Sequence, residues 1–156
     1  LECLIYAYEV IGAIDVHNLT LCNAAKSGSL DCLKYAFCII KANDTHYNYT
    51  LCCAARSGNI ACLKYAHNII KVTDVHNYTL YYAAKSGSLE CLKYAFNIIK
   101  LTDTYHYTLP FAARSGSLAC LKYAHDVIKA IDVHNNALCY AESGGNVACI
   151  EYCKNI

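Results

Sequence analysis

One four-residue phrase, Cys-Leu-Lys-Tyr or a close variant, begins at Cys3, Cys32, Cys62, Cys91, Cys120 and Cys149, at intervals of 29 or 30 residues. Ala-Ala-Lys/Arg-Ser-Gly precedes each of the four copies from Cys32 to Cys120, and Ile-Ile-Lys or Val-Ile-Lys follows it. A fixed period of about 20 to 50 residues marks units that cannot bury an apolar face alone and must stack on their neighbours. The chain is therefore read as one array: a partial repeat over 1–19, repeats over 20–49, 50–78, 79–107 and 108–136, and a partial repeat over 137–156. It opens and closes inside partial repeats, so an excerpt of a longer array is expected.

Each repeat predicts two helices. In the repeat from Thr50, a threonine cap opens a short helix over 51–57, Gly58 stops it in a left-handed turn, and Asn59 caps a second helix from Ile60 to about Lys71. Thr20, Thr79 and Thr108 stand where Thr50 does, and Ser29, Ser88, Ser117 and Asn146 where Asn59 does. On the second helix Asp31, Lys34, Cys38 and Lys41 form the solvent stripe, with Asn68, Asn97 or Asp126 in place of Cys38. Leu30, Cys32, Leu33, Tyr35, Ala36, Phe37, Ile39 and Ile40 fill the remaining circumference, which predicts packing on several sides. A hydrophobic content of 56% is enough for a continuous core, and a net charge of +1 favours no partner by bulk electrostatics. No apolar stretch approaches the roughly 20 residues of a membrane span, and no secretory signal is visible.

Thr50-Leu51, Ala54-Ala55-Arg56-Ser57-Gly58 and Cys62-Leu63-Lys64-Tyr65-Ala66-His67 resemble the ankyrin repeat, in particular the divergent arrays of amoebae and their giant viruses. The resemblance covers nearly the whole chain and implies an all-α, ankyrin-like solenoid of stacked helix-turn-helix repeats. It also implies a non-enzymatic scaffold whose first helices and loops line a concave surface that holds a protein partner. The Thr-Pro-Leu-His tetrapeptide is absent, Ser or Asn replaces the His after Gly, and no Gly-Ala-Asp follows the second helix. Irregular loops or tight turns are accordingly expected around Asp44, Asp74, Asp103 and Asp132 in place of a projecting β-hairpin.

Twelve cysteines raise the question of bridges or metal. Cys32, Cys62, Cys91 and Cys120 fall on successive stacked helices, whose axes lie roughly 8 to 10 Å apart, beyond the roughly 7 Å Cα limit for a disulfide. Free, buried thiols are expected there, as in a reducing, intracellular compartment. Adjacent Cys52 and Cys53 point about 100° apart, so local packing is expected of them. His17, His76 and His134 lie in Asp-Val-His loops and His46 in Asp-Thr-His, but no compact set of four zinc ligands appears. The Asp residues are read as turn organisers, and His67 and His125, standing for Phe37 and Phe96, as half-buried core substitutes. No catalytic residue, metal or cofactor is predicted. Rows of lysine, Lys34, Lys64, Lys93, Lys122 and Lys41, Lys71, Lys100, Lys129, face a line of loop aspartates. Without arginine or aromatic residues beside them they are weak evidence for nucleic acid.

Variation is concentrated on the first helix. Within otherwise repeated words its second and third places read Cys22-Asn23, Cys52-Cys53, Tyr81-Tyr82, Pro110-Phe111 and Cys139-Tyr140. With the loop tyrosines, this region carries the residues expected to bind a partner: Tyr78, Tyr81, Tyr82, Tyr107, Phe111 and Tyr140. The alternative function is a structural component of a virion or filament, in which copies of the array stack on one another. Leu63→Asp is expected to bury an unpaired charge and destabilise the array by more than about 4 kcal/mol, whereas Lys64→Asp changes it by about 0.5 kcal/mol or less. Thermal melts compare the two, and equal effects would overturn the assigned helix face.

Overall fold

The computed structural model of the 156-residue chain describes residues 1–14, 19–42, 49–74 and 78–156. The chain folds as two compact units, Leu1–Val75 and His76–Ile156. The first contains α1 (Glu2–Ile5), α2 (Thr20–Lys26), α3 (Leu30–Cys38), α4 (Thr50–Arg56) and α5 (Ile60–Tyr65). The second contains α6 (Thr79–Lys85), α7 (Leu89–Asn97), α8 (Thr108–Arg114), α9 (Leu118–Lys122), α10 (Ala137–Gly144) and α11 (Val147–Cys153). π-helical turns extend α1, α5 and α9 over Tyr6–Val10, Ala66–Ile70 and Tyr123–Val127. The described residues contain helices and turns and no strand.

In the first unit α2 packs on α4 and on its own partner α3, and α3 meets α5. In the second, α8 lies between α6 and α10, while α9 contacts α7 and α11. Each unit is thus a stack of helix pairs, with first helices in one layer and second helices in another. Leu33, Leu63, Leu92 and Leu121 of the repeated phrase are completely buried, as are Ala54, Ala55, Ala83, Ala84, Ala112 and Ala113. Each such leucine contributes about 2 kcal/mol of transfer free energy, and the alanines let neighbouring backbones approach.

Local chemistry at the start of each second helix follows the sequence. Ser29, Ser88 and Ser117 accept hydrogen bonds from the amides of Cys32, Cys91 and Cys120 at 3.2 to 3.3 Å. Asn59 does the same for Cys62, and its Nδ2 also donates to the Gly28 carbonyl of the preceding repeat at 2.8 Å. Gly28 holds φ at +72°, and a Cβ there would lie 3.5 Å from Ser57 of the next repeat.

The first helices start differently from the sequence reading. Thr20, Thr50, Thr79 and Thr108 are the first helical residues and do not cap: the cap positions fall on Leu19, Tyr49, Tyr78 and Tyr107, with no side-chain cap bond. In the second unit the loop aspartates take this role. Asp103 Oδ1 accepts from the amide and hydroxyl of Thr108 at 3.2 and 2.7 Å, and Asp132 from the amides of Asn136 and Ala137 at 2.9 and 2.7 Å. A carboxylate four or five residues upstream reaches the free amides because a tight turn with His106 or Asn135 in the left-handed region folds the loop back. The turns expected around Asp103 and Asp132 are therefore present; that around Asp44 lies outside the described residues.

Second helices end on a widened turn. The amides of Ile40, Ile99 and Ile128 bond carbonyls five residues back. Lys41, Lys71, Lys100 and Lys129 then adopt φ of 58 to 63°, a position that Gly12 fills in the first copy. The widening shifts the helical phase, which corrects the packing expected of Ile39: Ile39, Ile69, Ile98 and Val127 are 50 to 58% exposed.

The tyrosine of the phrase reaches back to the preceding repeat. Tyr35 donates to Glu9 Oε1 at 2.7 Å, Tyr65 OH meets Cys38 Sγ at 3.4 Å, and Asn97 Nδ2 donates to Tyr123 OH at 2.9 Å. Tyr152 OH lies 3.2 Å from Asp126 and 2.9 Å from His125 Nδ1. The same rings stand edge-on to Tyr8, Phe37, Phe96 and His125. Lys93 and Lys122 sit 5.7 and 5.8 Å from the ring centroids of Tyr123 and Tyr152, so these lysines cover the brace rather than simply facing water.

Two measurements test these features. At Lys129 a left-handed backbone strains any residue with a Cβ, so Lys129→Gly is expected to raise stability by about 0.5 to 1 kcal/mol, read from thermal melts. The bond to Glu9 pushes the Tyr35 phenol up to about 12, and burial followed by the Cys38 contact pushes Tyr65 up to about 12. An unfolded tyrosine ionises near pH ~10. Folding therefore favours the neutral phenols, with their contribution complete below about pH 10 and lost as pH rises through about 12. The melting temperature is expected to fall across that window, and Tyr35→Phe with Tyr65→Phe to flatten the fall.

Candidate interaction face

Side chains three and four apart share a helix face. On α6 this groups Tyr78, Tyr81, Tyr82 and Lys85, while Leu80, Ala83 and Ala84 turn into the stack and are buried. On α8 the group is Tyr107, Phe111 and Arg114, and on α10 Tyr140 continues it. The short first helices thus turn aromatic residues of three successive repeats to the same side of the second unit.

The rings form one connected cluster with Tyr81 at its centre. Its centroid lies 5.5 Å from that of Tyr78, 4.5 Å from Tyr82, 6.1 Å from Tyr107 and 5.2 Å from Phe111, the last pair stacked at 20°. Phe111 continues to Tyr140 at 5.4 Å with the planes at 86°. All six partner-binding candidates fall within this face. Tyr105 and His134 extend it, at 5.4 Å from Tyr78 and 6.4 Å from Tyr107. Tyr105 and Tyr107 are 43 and 38% exposed, and the central rings are half-buried.

In the second unit the cations at the ends of α6 and α8 cover an aromatic ring of the next repeat. Lys85 Nζ lies 5.0 Å from the Phe111 centroid, and the Arg114 guanidinium 5.9 Å from that of Tyr140. The loop carboxylates Asp103 and Asp132 meanwhile bond helix amides. The face therefore offers apolar ring area, phenol donors and two cations. The sequence pattern identified the rings but not the cations over them, because Lys85 and Arg114 belong to the repeating words.

In the first unit the corresponding region carries sulfur. Cys22 of α2 and Cys53 of α4 are paired as a disulfide, with Cα atoms 5.9 Å apart. This corrects the expectation of simple packing for Cys53. Cys32, Cys62, Cys91 and Cys120 are free, as the ladder geometry requires. The missed signal was an offset: the pair is separated by 31 residues where the repeat step is 30, and Tyr81–Phe111 by 30 where the step is 29. In these two pairs the first helices meet one residue out of register, whereas Phe111–Tyr140, 29 residues apart, keeps the step.

Among the described residues the histidines form no common site. His67 and His125 are partly buried, and His125 Nδ1 lies 3.1 Å from Asp126 as well as within reach of Tyr152. His17, His46 and His76 lie outside the described residues, as do Asp15, Asp44 and Tyr47. Among the described residues no three His, Cys, Asp or Glu side chains are grouped to hold a metal, and no helix is long and apolar enough to cross a membrane.

Stacked helix pairs whose variable side chains cluster on the first helix define a helical-repeat protein of the kind that presents an extended surface. The chain belongs to the ankyrin-repeat family: three copies of the repeat match over residues 21–104, 84 of the 156 residues. Ankyrin repeats are in general protein–protein interaction modules. No curated protein matches the chain.

Proposed function

We propose that the chain is a non-enzymatic scaffold that binds a protein partner along the aromatic face of its second unit. The observation that carries this reading is the Tyr81-centred cluster, which joins rings from three repeats into one half-exposed surface. Tyrosine brings large contact area at low conformational cost, and buried aromatic anchors dominate the energetics of protein interfaces. Lys85 and Arg114 beside the rings favour a partner segment that pairs carboxylates with apolar side chains.

The test is capture of a partner by the wild-type chain, by a Tyr78→Ala, Tyr81→Ala, Tyr107→Ala variant and by a Lys93→Ala, Lys122→Ala variant. The tyrosine variant is expected to weaken binding at least about thirtyfold, since one such anchor contributes about 2 kcal/mol. The lysine variant is expected to bind as wild type, with little dependence on salt. Retention by the tyrosine variant, with its helicity intact, would overturn the assignment of the face. Solution mass over a hundredfold concentration range separates a scaffold, which stays monomeric, from a self-assembling structural component.

A further inference from the structure

The cysteines occupy chemically different settings. Cys62, Cys91, Cys120 and Cys149 lie in the buried layer between repeats, and burial pushes the thiols of Cys91, Cys120 and Cys149 up, away from the reactive thiolate. Cys22 and Cys53 instead lie half-exposed on the first-helix side, where a small reagent reaches them. Their Cα separation of 5.9 Å falls inside the range that a disulfide spans without moving the backbone. The neighbouring Cys52 is buried, and its Sγ donates to Asp74 Oδ1 at 3.7 Å, so it does not compete for Cys22. Cys3, Cys38 and Cys139 are exposed free thiols, for which a mixed disulfide is the end of the reaction.

We propose that Cys22 and Cys53 form a reversible thiol–disulfide exchange site for a low-molecular-weight disulfide such as glutathione disulfide, and that its closure covalently joins α2 to α4. One protein thiolate attacks a sulfur of the reagent, forming a mixed disulfide and releasing one glutathione. The second protein thiolate attacks the protein sulfur of that mixed disulfide, forming the Cys22–Cys53 bond and releasing the second glutathione. The two protein thiols lose two electrons, the reagent gains them, and the two protons pass to the glutathione thiolates. Reduced glutathione in excess reverses both steps. The bond spans two repeats across 31 residues, so it restrains the first unit against local opening. This site stands apart from the aromatic face of the second unit and does not depend on what that face binds.

The test is to reduce the full chain, equilibrate it over a series of glutathione to glutathione disulfide ratios, alkylate the remaining thiols and map them by mass spectrometry. Expected is a cross-link between the peptides carrying Cys22 and Cys53 that appears at oxidising ratios and disappears at reducing ones. Amide exchange in α2 and α4 through opening of the first unit is expected to slow on the order of a hundredfold on closure. In Cys22→Ser, Cys53 is expected to retain glutathione instead. Full alkylation of both cysteines at every ratio, a link from Cys53 to Cys52, or glutathione persisting on Cys22 or Cys53 of the wild-type chain would each overturn the proposal. The wild-type map decides alone if Cys22→Ser does not fold.

Discussion

No helix pair here can bury its own apolar side chains, and every other feature depends on the contact it makes with the next pair. A first helix of seven residues, with a second of nine such as α7, has too little surface to enclose Leu63 or Leu92. The phrase leucines are buried together with the alanines and most of the phrase cysteines, so the chain repeats small residues as strictly as large ones. The phrase Cys-Leu-Lys-Tyr holds most of this contact in four residues. Its cysteine amide takes the cap, its leucine fills the core, its lysine lies over the following repeat's tyrosine, and its tyrosine bonds the preceding repeat.

Features set by local backbone chemistry could be read directly from the sequence. Ser or Asn three residues before the phrase cysteine, and Gly just before it, identify the turn and the second helix in every repeat. Features set by geometry between elements could not. Thr108 resembles a cap, yet the turn through His106 delivers Asp103 to the amide and hydroxyl of Thr108, so the threonine donates rather than accepts. Ile98 follows the apolar period, yet a widened last turn rotates it to solvent. Asn97 and Asp126 looked like simple solvent-facing residues; both bond the tyrosine of the next repeat.

The candidate face shows the same division. Contrast between repeating words and changing pairs located Tyr81, Tyr82, Phe111 and Tyr140, since side chains committed to stacking leave little room for change. The stacking of Tyr81 on Phe111 required a one-residue offset between first helices, which no single repeat contains. That offset also brought Cys22 to Cys53 rather than to Cys52. Both faces, the aromatic one and the sulfur one, follow the same diagonal path on different side chains.

The diagonal contact redefines what counts as a module in this chain. The sequence period suggests that a helix pair is the interchangeable piece. Yet Tyr81 is completed by Phe111, and Cys22 by Cys53, each from the repeat that follows. Moving one helix pair to another place would leave an unmatched ring or sulfur at both of its borders. The smallest segment that carries either contact intact runs from the middle of one first helix to the middle of the next, so a cut between helix pairs divides a surface that the sequence period alone would treat as whole.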